Sequence, residues 1–156
     1  MKKILFVCMG NICRSPAAEG VMKSLLNKNG IKDKVYVDSA GTIDYHTGEF
    51  PDPRMIEVAS EKGYELNHRA RQITKSDLEN FDYIITMDNQ IYKSVNRLDS
   101  QKQYQHKIFK MTDFLSEMEA DEIPDPYYGN KEDFEYSLDL IEDAAKGLLN
   151  RIQNEM

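Results

Sequence analysis

Two kinds of apolar pattern alternate along this chain. Ile4-Leu5-Phe6-Val7 is a continuous apolar run, as expected of a strand covered on both faces. A helical stripe follows, with Ala18, Val21, Met22, Leu25 and Leu26 on one face. Ser15 is the expected N-cap of that helix, Pro16 its first residue and Asn29-Gly30 its stop. Val35 and Val37 mark a second strand ending at Ser39-Ala40-Gly41, and Thr42 to Pro51 reads as a surface loop. Asp52 and Pro53 open a helix that closes near Gly63. Tyr83-Ile84-Ile85-Thr86-Met87 predicts a third strand, followed by a short helix capped by Asp88, and Ile108-Phe109 a fourth, weaker strand. Phe134, Leu138, Ile141, Ala145, Leu148 and Ile152 recur at steps of three and four, which places them on one face of a final helix.

Strands alternating with helices predict an α/β fold, a parallel sheet with helices on both faces joined by right-handed crossovers. No repeat, low-complexity segment or linker divides the 156 residues, so one domain over 1–156 is expected. In such sheets ligands bind beyond the carboxyl ends of the strands. Cys8 lies at that end of the first strand.

Charge narrows the partners. The net charge is −7, from 27 acids against 20 Lys and Arg, which argues against nucleic acid because a phosphate backbone would meet an overall like charge. No apolar stretch approaches the ~20 residues of a membrane span. Lys2 and Lys3 precede only four apolar residues, shorter than a signal-peptide core. A cytoplasmic setting follows, in which Cys8 and Cys13 stay reduced. Their lone Cys-x4-Cys spacing does not make a zinc site, and no metal or cofactor is implied.

The chemistry sits in Cys8-Met9-Gly10-Asn11-Ile12-Cys13-Arg14-Ser15-Pro16, between a buried strand and a helix. A turn here points successive backbone N–H groups inward, and the helix start adds its unpaired donors and positive dipole end. Gly10 and Asn11 tolerate left-handed backbone. The result is a phosphate-binding loop after the first strand, without the Gly-Lys-Ser/Thr ending of the Walker type. Cys8 would sit at its base, where the donors and Arg14 favour thiolate over thiol. Arg14 offers a planar fork to two phosphoryl oxygens. Ser15 can donate its hydroxyl to the thiolate or act purely as a cap. From the residues alone, Cys8 can also be a small buried hydrophobe.

A phosphoryl transfer is easier when an acid protonates the leaving oxygen. Asp125, in Pro124-Asp125-Pro126-Tyr127-Tyr128-Gly129, is displayed on a segment stiffened by two prolines, although the same pattern makes an ordinary surface turn.

Together these residues closely resemble the low-molecular-weight protein tyrosine phosphatases. The likeness runs through C-M-G-N-I-C-R-S-P-A-A-E at 8–19, S-A-G-T at 39–42, P-D-P-R at 51–54, H-R-A-R-Q at 68–72 and D-P-Y-Y-G at 125–129. It implies a four-stranded parallel sheet, a Cys8 nucleophile forming a phosphocysteine, an Arg14 clamp and an Asp125 acid and base. It also implies that Asn11, Ser39 and His68 support the loop by hydrogen bonds. By itself His68 reads as a surface or core histidine.

Phosphotyrosine in a protein or peptide is the substrate this implies. Tyr45, Tyr127 and Tyr128 would line a slot for the ring, with Met9 and Ile12 as apolar wall, and Gly10, Asn11, Cys13 and Ser15 in the loop around the phosphate. Any of the three tyrosines can instead simply pack against the core. Ile12 stands where relatives resembling arginine phosphatases carry threonine. The resemblance also favours Cys13 as a trap for oxidised Cys8. Arsenate reduction on the same scaffold needs further cysteines, and none follows Cys13. A phosphate-binding module without turnover would need no acid. Arg69 and Arg71 are expected in loop packing or at the surface, and Glu117, Glu119, Asp121 and Glu122 on a solvated face. Whether the chain self-associates is left open.

Overall fold

The amino-terminal apolar run forms β1 (Lys2–Cys8), an inner strand of a four-stranded sheet. The computed structural model describes all residues, 1–156. β1 is followed by α1 (Arg14–Lys28), β2 (Val35–Gly41), α2 (Pro53–Glu61), α3 (Lys75–Asn80) and β3 (Tyr83–Thr86). Then come α4 (Asn89–Leu98), β4 (Ile108–Lys110) and α5 (Lys131–Glu155), with single 3₁₀ turns at Gln105–Lys107 and Met111–Phe114.

The strand order is β2-β1-β3-β4 and all pairs are parallel. The parallel α/β expectation therefore holds. Alternation along β1 explains why the run is apolar throughout. Ile4, Phe6 and Cys8 face a core of 31 buried residues that includes residues of α1, α2 and α5, whereas Leu5 and Val7 face a second core of 10 that includes residues of α3 and α4. Helices cover both faces. The chain leaves β1 for β2 on one side and returns to β3 on the other, so a crevice opens at the carboxyl end of β1. Cys8 is the last residue of that strand.

The long stripe of α5 is buried as its spacing predicts: Phe134, Leu138, Ile141, Ala145, Leu148 and Ile152 are all fully buried. Asn130 and Asp133 form a capping box at its start. Asp143 on the same helix accepts hydrogen bonds from the backbone N–H groups of Ser116 (2.9 Å) and Met118 (3.2 Å), tying down the segment that leads toward Asp125. Burial alone would raise the Asp143 carboxyl; the backbone donors outweigh it and hold the group below its usual range.

One local expectation is corrected, and one helix, α3, was not expected. Helix α1 starts at Arg14 with Cys13 in the N-cap position, not after a Ser15 cap, so Pro16 is its third residue. Ser15 fails to cap because its hydroxyl is turned toward Cys8 and Asn11. No side chain caps this helix, which leaves its first N–H groups free for a ligand. The short α3 has too few turns for an apolar stripe; it is set by a Thr74–Asp77 capping box.

Candidate active site

The turn after β1 closes only because β2 lets it approach. A Cβ on Gly41 would lie 2.5 Å from the carbonyl oxygen of Met9, so a side chain there would push the loop outward. Inside the loop Asn11 takes a left-handed conformation, φ 59°, which costs a non-glycine residue roughly 1–2 kcal/mol. Its side chain more than offsets that. Asn11 Nδ2 donates to Ser15 Oγ at 2.7 Å and to Ser39 Oγ at 3.0 Å, while Oδ1 accepts from Arg71 N at 3.0 Å and meets His68 Nε2 at 2.9 Å. Four contacts, two buried and two part-buried, at about 1 kcal/mol each hold the turn in shape.

Those contacts extend to groups that the sequence does not mark. Ser39 Oγ donates to Glu19 Oε1 at 2.7 Å. Arg71, expected in loop packing or at the surface, joins Asp38 to Asp77 through its guanidinium. Glu19, Asp38 and His68 bring possible metal-ligand atoms within 4.8 Å of one another. Each is already engaged, Glu19 by Ser39 and Lys23, Asp38 by Arg71 and His68 by Asn11, and the loop network accounts for all three.

Cys8 is 3% exposed, at the base of the crevice. Its Sγ lies 2.9 Å from Ser15 Oγ. Because Asn11 donates to that oxygen, the Ser15 hydrogen is free for the sulfur, with Ala40 O a longer alternative at 3.5 Å. Cys13 is also buried, and burial, with Asp52 and Cys8 adding to it, pushes its thiol far up. That holds the Cys13 thiol neutral.

Arg14 is buried yet held rigidly. Nη1 donates to Asp88 Oδ2 at 2.7 Å and to Ile123 O at 2.9 Å, and Nη2 is 3.7 Å from Asp125 Oδ2. Burial alone would lower its pKa; the charge of Cys8 and the Asp88 bond outweigh that and keep it above its usual value. Asp88 was legible only as a cap, and it does cap α4, accepting from Ile91 N at 2.8 Å. Its second oxygen anchors the guanidinium, a contact across 74 positions that no local pattern signals.

Asp125 overhangs the crevice, 43% exposed, with Oδ1 accepting from Tyr127 N at 3.1 Å. Its loop is fastened where Ile123 N donates to Met87 O and Ser137 Oγ to Pro124 O.

A single recess of about 290 Å³ brings together ten of the predicted residues: Cys8, Met9, Gly10, Ile12, Cys13, Arg14, Tyr45, Asp125, Tyr127 and Tyr128. Asn11, Ser15, Ser39 and His68 stand behind the loop rather than on the recess wall. Tyr45 and Tyr128 are exposed at the rim, 79% and 96%, rather than packed in the core. Tyr127 lies edge-on to Tyr128 at 4.9 Å and under the Arg54 guanidinium at 5.4 Å. Ile43 and His46 complete the wall. Neither was expected, because both lie in the Thr42–Pro51 loop, which carries no periodic signal.

Comparison with known proteins is consistent across the whole chain. The family model described as low molecular weight phosphotyrosine protein phosphatase matches residues 3–156. A pig protein of that description is 40% identical over 153 residues, covering 97% of this chain and 96% of its own. A crystal structure of a protein tyrosine phosphatase from Entamoeba histolytica, with Hepes in its active site, superposes with a TM-score of 0.95 at 44% identity, covering 99% of both chains. The crystal structure of YfkJ from Bacillus subtilis superposes with a TM-score of 0.93 at 36% identity, covering 99% of this chain and 96% of that one.

Proposed function

This chain belongs to the low molecular weight phosphotyrosine protein phosphatase family, and from that premise we propose how its own residues carry out the hydrolysis. Cys8, as thiolate, attacks phosphorus in line and forms a phosphocysteine. Arg14 and the uncapped start of α1 bind the equatorial oxygens, which gather charge as the transition state flattens. Asp125 gives its proton to the leaving oxygen. As a carboxylate it then takes a proton from the water that attacks the phosphocysteine, and Cys8 departs as thiolate, eased by the Ser15 hydroxyl. The carrying observation is that Cys8 Sγ, Arg14 and Asp125 line one recess beneath an uncapped helix start.

The depth of Cys8 below a rim of tyrosines supports an aryl phosphate in a protein or peptide as substrate. The experiment is a panel of matched peptides assayed with chelator present. Phosphotyrosine should be hydrolysed at least ~100-fold faster, in kcat/KM, than phosphoserine, and phosphoarginine should be a poor substrate. Comparable rates on all three would remove the selective slot from the reading. Residues 1–156 act as one domain in this proposal, supported by a core that spans from Ile4 to Ile152.

Cys8 and Cys13 are both free thiols, which suits a reducing, cytoplasmic setting; no helix is long and apolar enough to cross a membrane. Under peroxide, Cys8 becomes a sulfenic acid with release of water. Attack by the Cys13 sulfur then expels a second water and leaves a disulfide, which a dithiol reduces back. Wild-type activity should return after peroxide and then dithiothreitol, and Cys13→Ser should recover severalfold less. Equal recovery in both proteins would discard the trap.

A further inference from the structure

The charge of this chain is unevenly distributed. Between Asn89 and Lys110 there are five cations, Lys93, Arg97, Lys102, Lys107 and Lys110, and one acid, Asp99. That segment carries +4, so the remainder carries −11. None of the five cations makes an ion pair, whereas eight of the fifteen elsewhere have a carboxylate partner. The lone acid does not offset them. Asp99 is 5% exposed, and its two oxygens accept from Gln103 N and Tyr104 N.

Three of these cations share one face. Lys93 and Arg97, four residues apart on α4, project side by side. With Lys102 they line a shallow recess of about 590 Å³, and Lys110 Nζ lies 5.0 Å from the ring of Tyr92, which lines the same recess. Lys102 is exposed and has φ 53°, a left-handed conformation in which glycine is the unstrained choice. Only one other non-glycine residue has positive φ, and it is Asn11 in the phosphate loop. A cation is thus held at a strained position among cations that have no ion-pair partner.

We propose that this face docks an acidic stretch of the phosphotyrosine substrate, a proposal that rests on the phosphatase reading above. Position favours that occupant. The cap of α4 is Asp88, whose other oxygen binds Arg14. At 1.5 Å per residue, Lys93 and Arg97 stand roughly 7 and 13 Å along the helix from that cap. An extended peptide advances about 3.3 Å per residue, which makes those distances about two to four residues from the cap; with about one or two more to pass from the phosphotyrosine to the cap, acidic residues about three to six positions away fall over the recess. Complementary charge at a solvated rim acts mainly by speeding encounter and choosing among partners.

The test compares phosphotyrosine peptides carrying Glu or Gln at three to six positions before or after the tyrosine, with a simple aryl phosphate as control. Wild type should prefer one of the Glu peptides by ~3–10-fold in kcat/KM at low salt, and the preference should fade near 0.5 M salt. Lys93→Glu with Arg97→Glu should abolish or invert it. Lys102→Gly should weaken it while leaving thermal stability equal or higher, because glycine relieves the strained backbone. The aryl phosphate rate should not change in any variant. Equal rates on Glu and Gln peptides, with brisk aryl phosphate turnover, overturn the docking face and leave the phosphatase reading intact; no aryl phosphate turnover in wild type removes that reading. Self-association lost on charge reversal, with peptide preference untouched, assigns the face to a second copy of the chain and also overturns the proposal.

Discussion

Cys8→Ser should reduce turnover of every phosphate ester on the order of 10⁴-fold or more, the scale on which enzymes lose activity when a covalent nucleophile is removed. The substitution exchanges sulfur for a smaller oxygen at a site 3% exposed. The bond to Ser15 and the packing against the large core can both persist, so the thermal midpoint should move by only a few degrees. What is lost is the anion. A serine hydroxyl stays protonated at neutral pH, and the structure supplies no base within the phosphate loop to activate it. Arg14 is still held by Asp88 and Ile123, and the helix start is still uncapped. The variant should therefore still bind a phosphotyrosine peptide, measurable by calorimetry, while not consuming it. Turnover within tenfold of wild type in a folded Cys8→Ser protein would remove Cys8 from its role.

Asp125→Ala should slow hydrolysis of phosphotyrosine by ~10²–10⁴-fold, the usual worth of a positioned acid, and an electron-poor aryl phosphate by much less. The leaving phenoxide of tyrosine, with a pKa near 10 for its conjugate acid, needs a proton; a better leaving group does not. Losing the 3.7 Å contact with Arg14 Nη2 is a minor matter, since Asp125 is 43% exposed and water screens such pairs. Asp125→Asn separates chemistry from shape. Its amide oxygen can still accept from Tyr127 N, which now bonds Asp125 Oδ1 at 3.1 Å, but it has no acidic proton to give. Both variants should show the same dependence on leaving group. A fully active Asp125→Asn enzyme would assign the carboxyl to loop geometry alone.

The order of strands and helices apart from the short α3, and the loop itself, were readable from neighbouring residues. A buried parallel strand is apolar at every position, because β1 sends Ile4 and Phe6 to one core and Leu5 and Val7 to the other. A helix against a core repeats every three to four residues, as α5 does. The phosphate loop needs a strand end, a tight turn and a helix start in succession, so Cys8 through Arg14 carry their own signal. Asp125 and the rim tyrosines were recognisable by the stiffened segment they occupy and by resemblance to a family.

Other parts of the site depend on which surfaces meet after folding. Ser15 suits an N-cap, yet only the return of Asn11 and β2 shows its hydroxyl directed at Cys8 and the cap position passed to Cys13. Asp88 is a cap in the sequence and an anchor for Arg14 in space. His68, Glu19 and Arg71 acquire their partners only because β2 and the segment after α2 pack against the loop. Periodicity and capping arise from atoms a few residues apart, and the chain writes them locally. The second hydrogen bond of a carboxylate or an amide is decided by whichever distant element the packed core delivers to it.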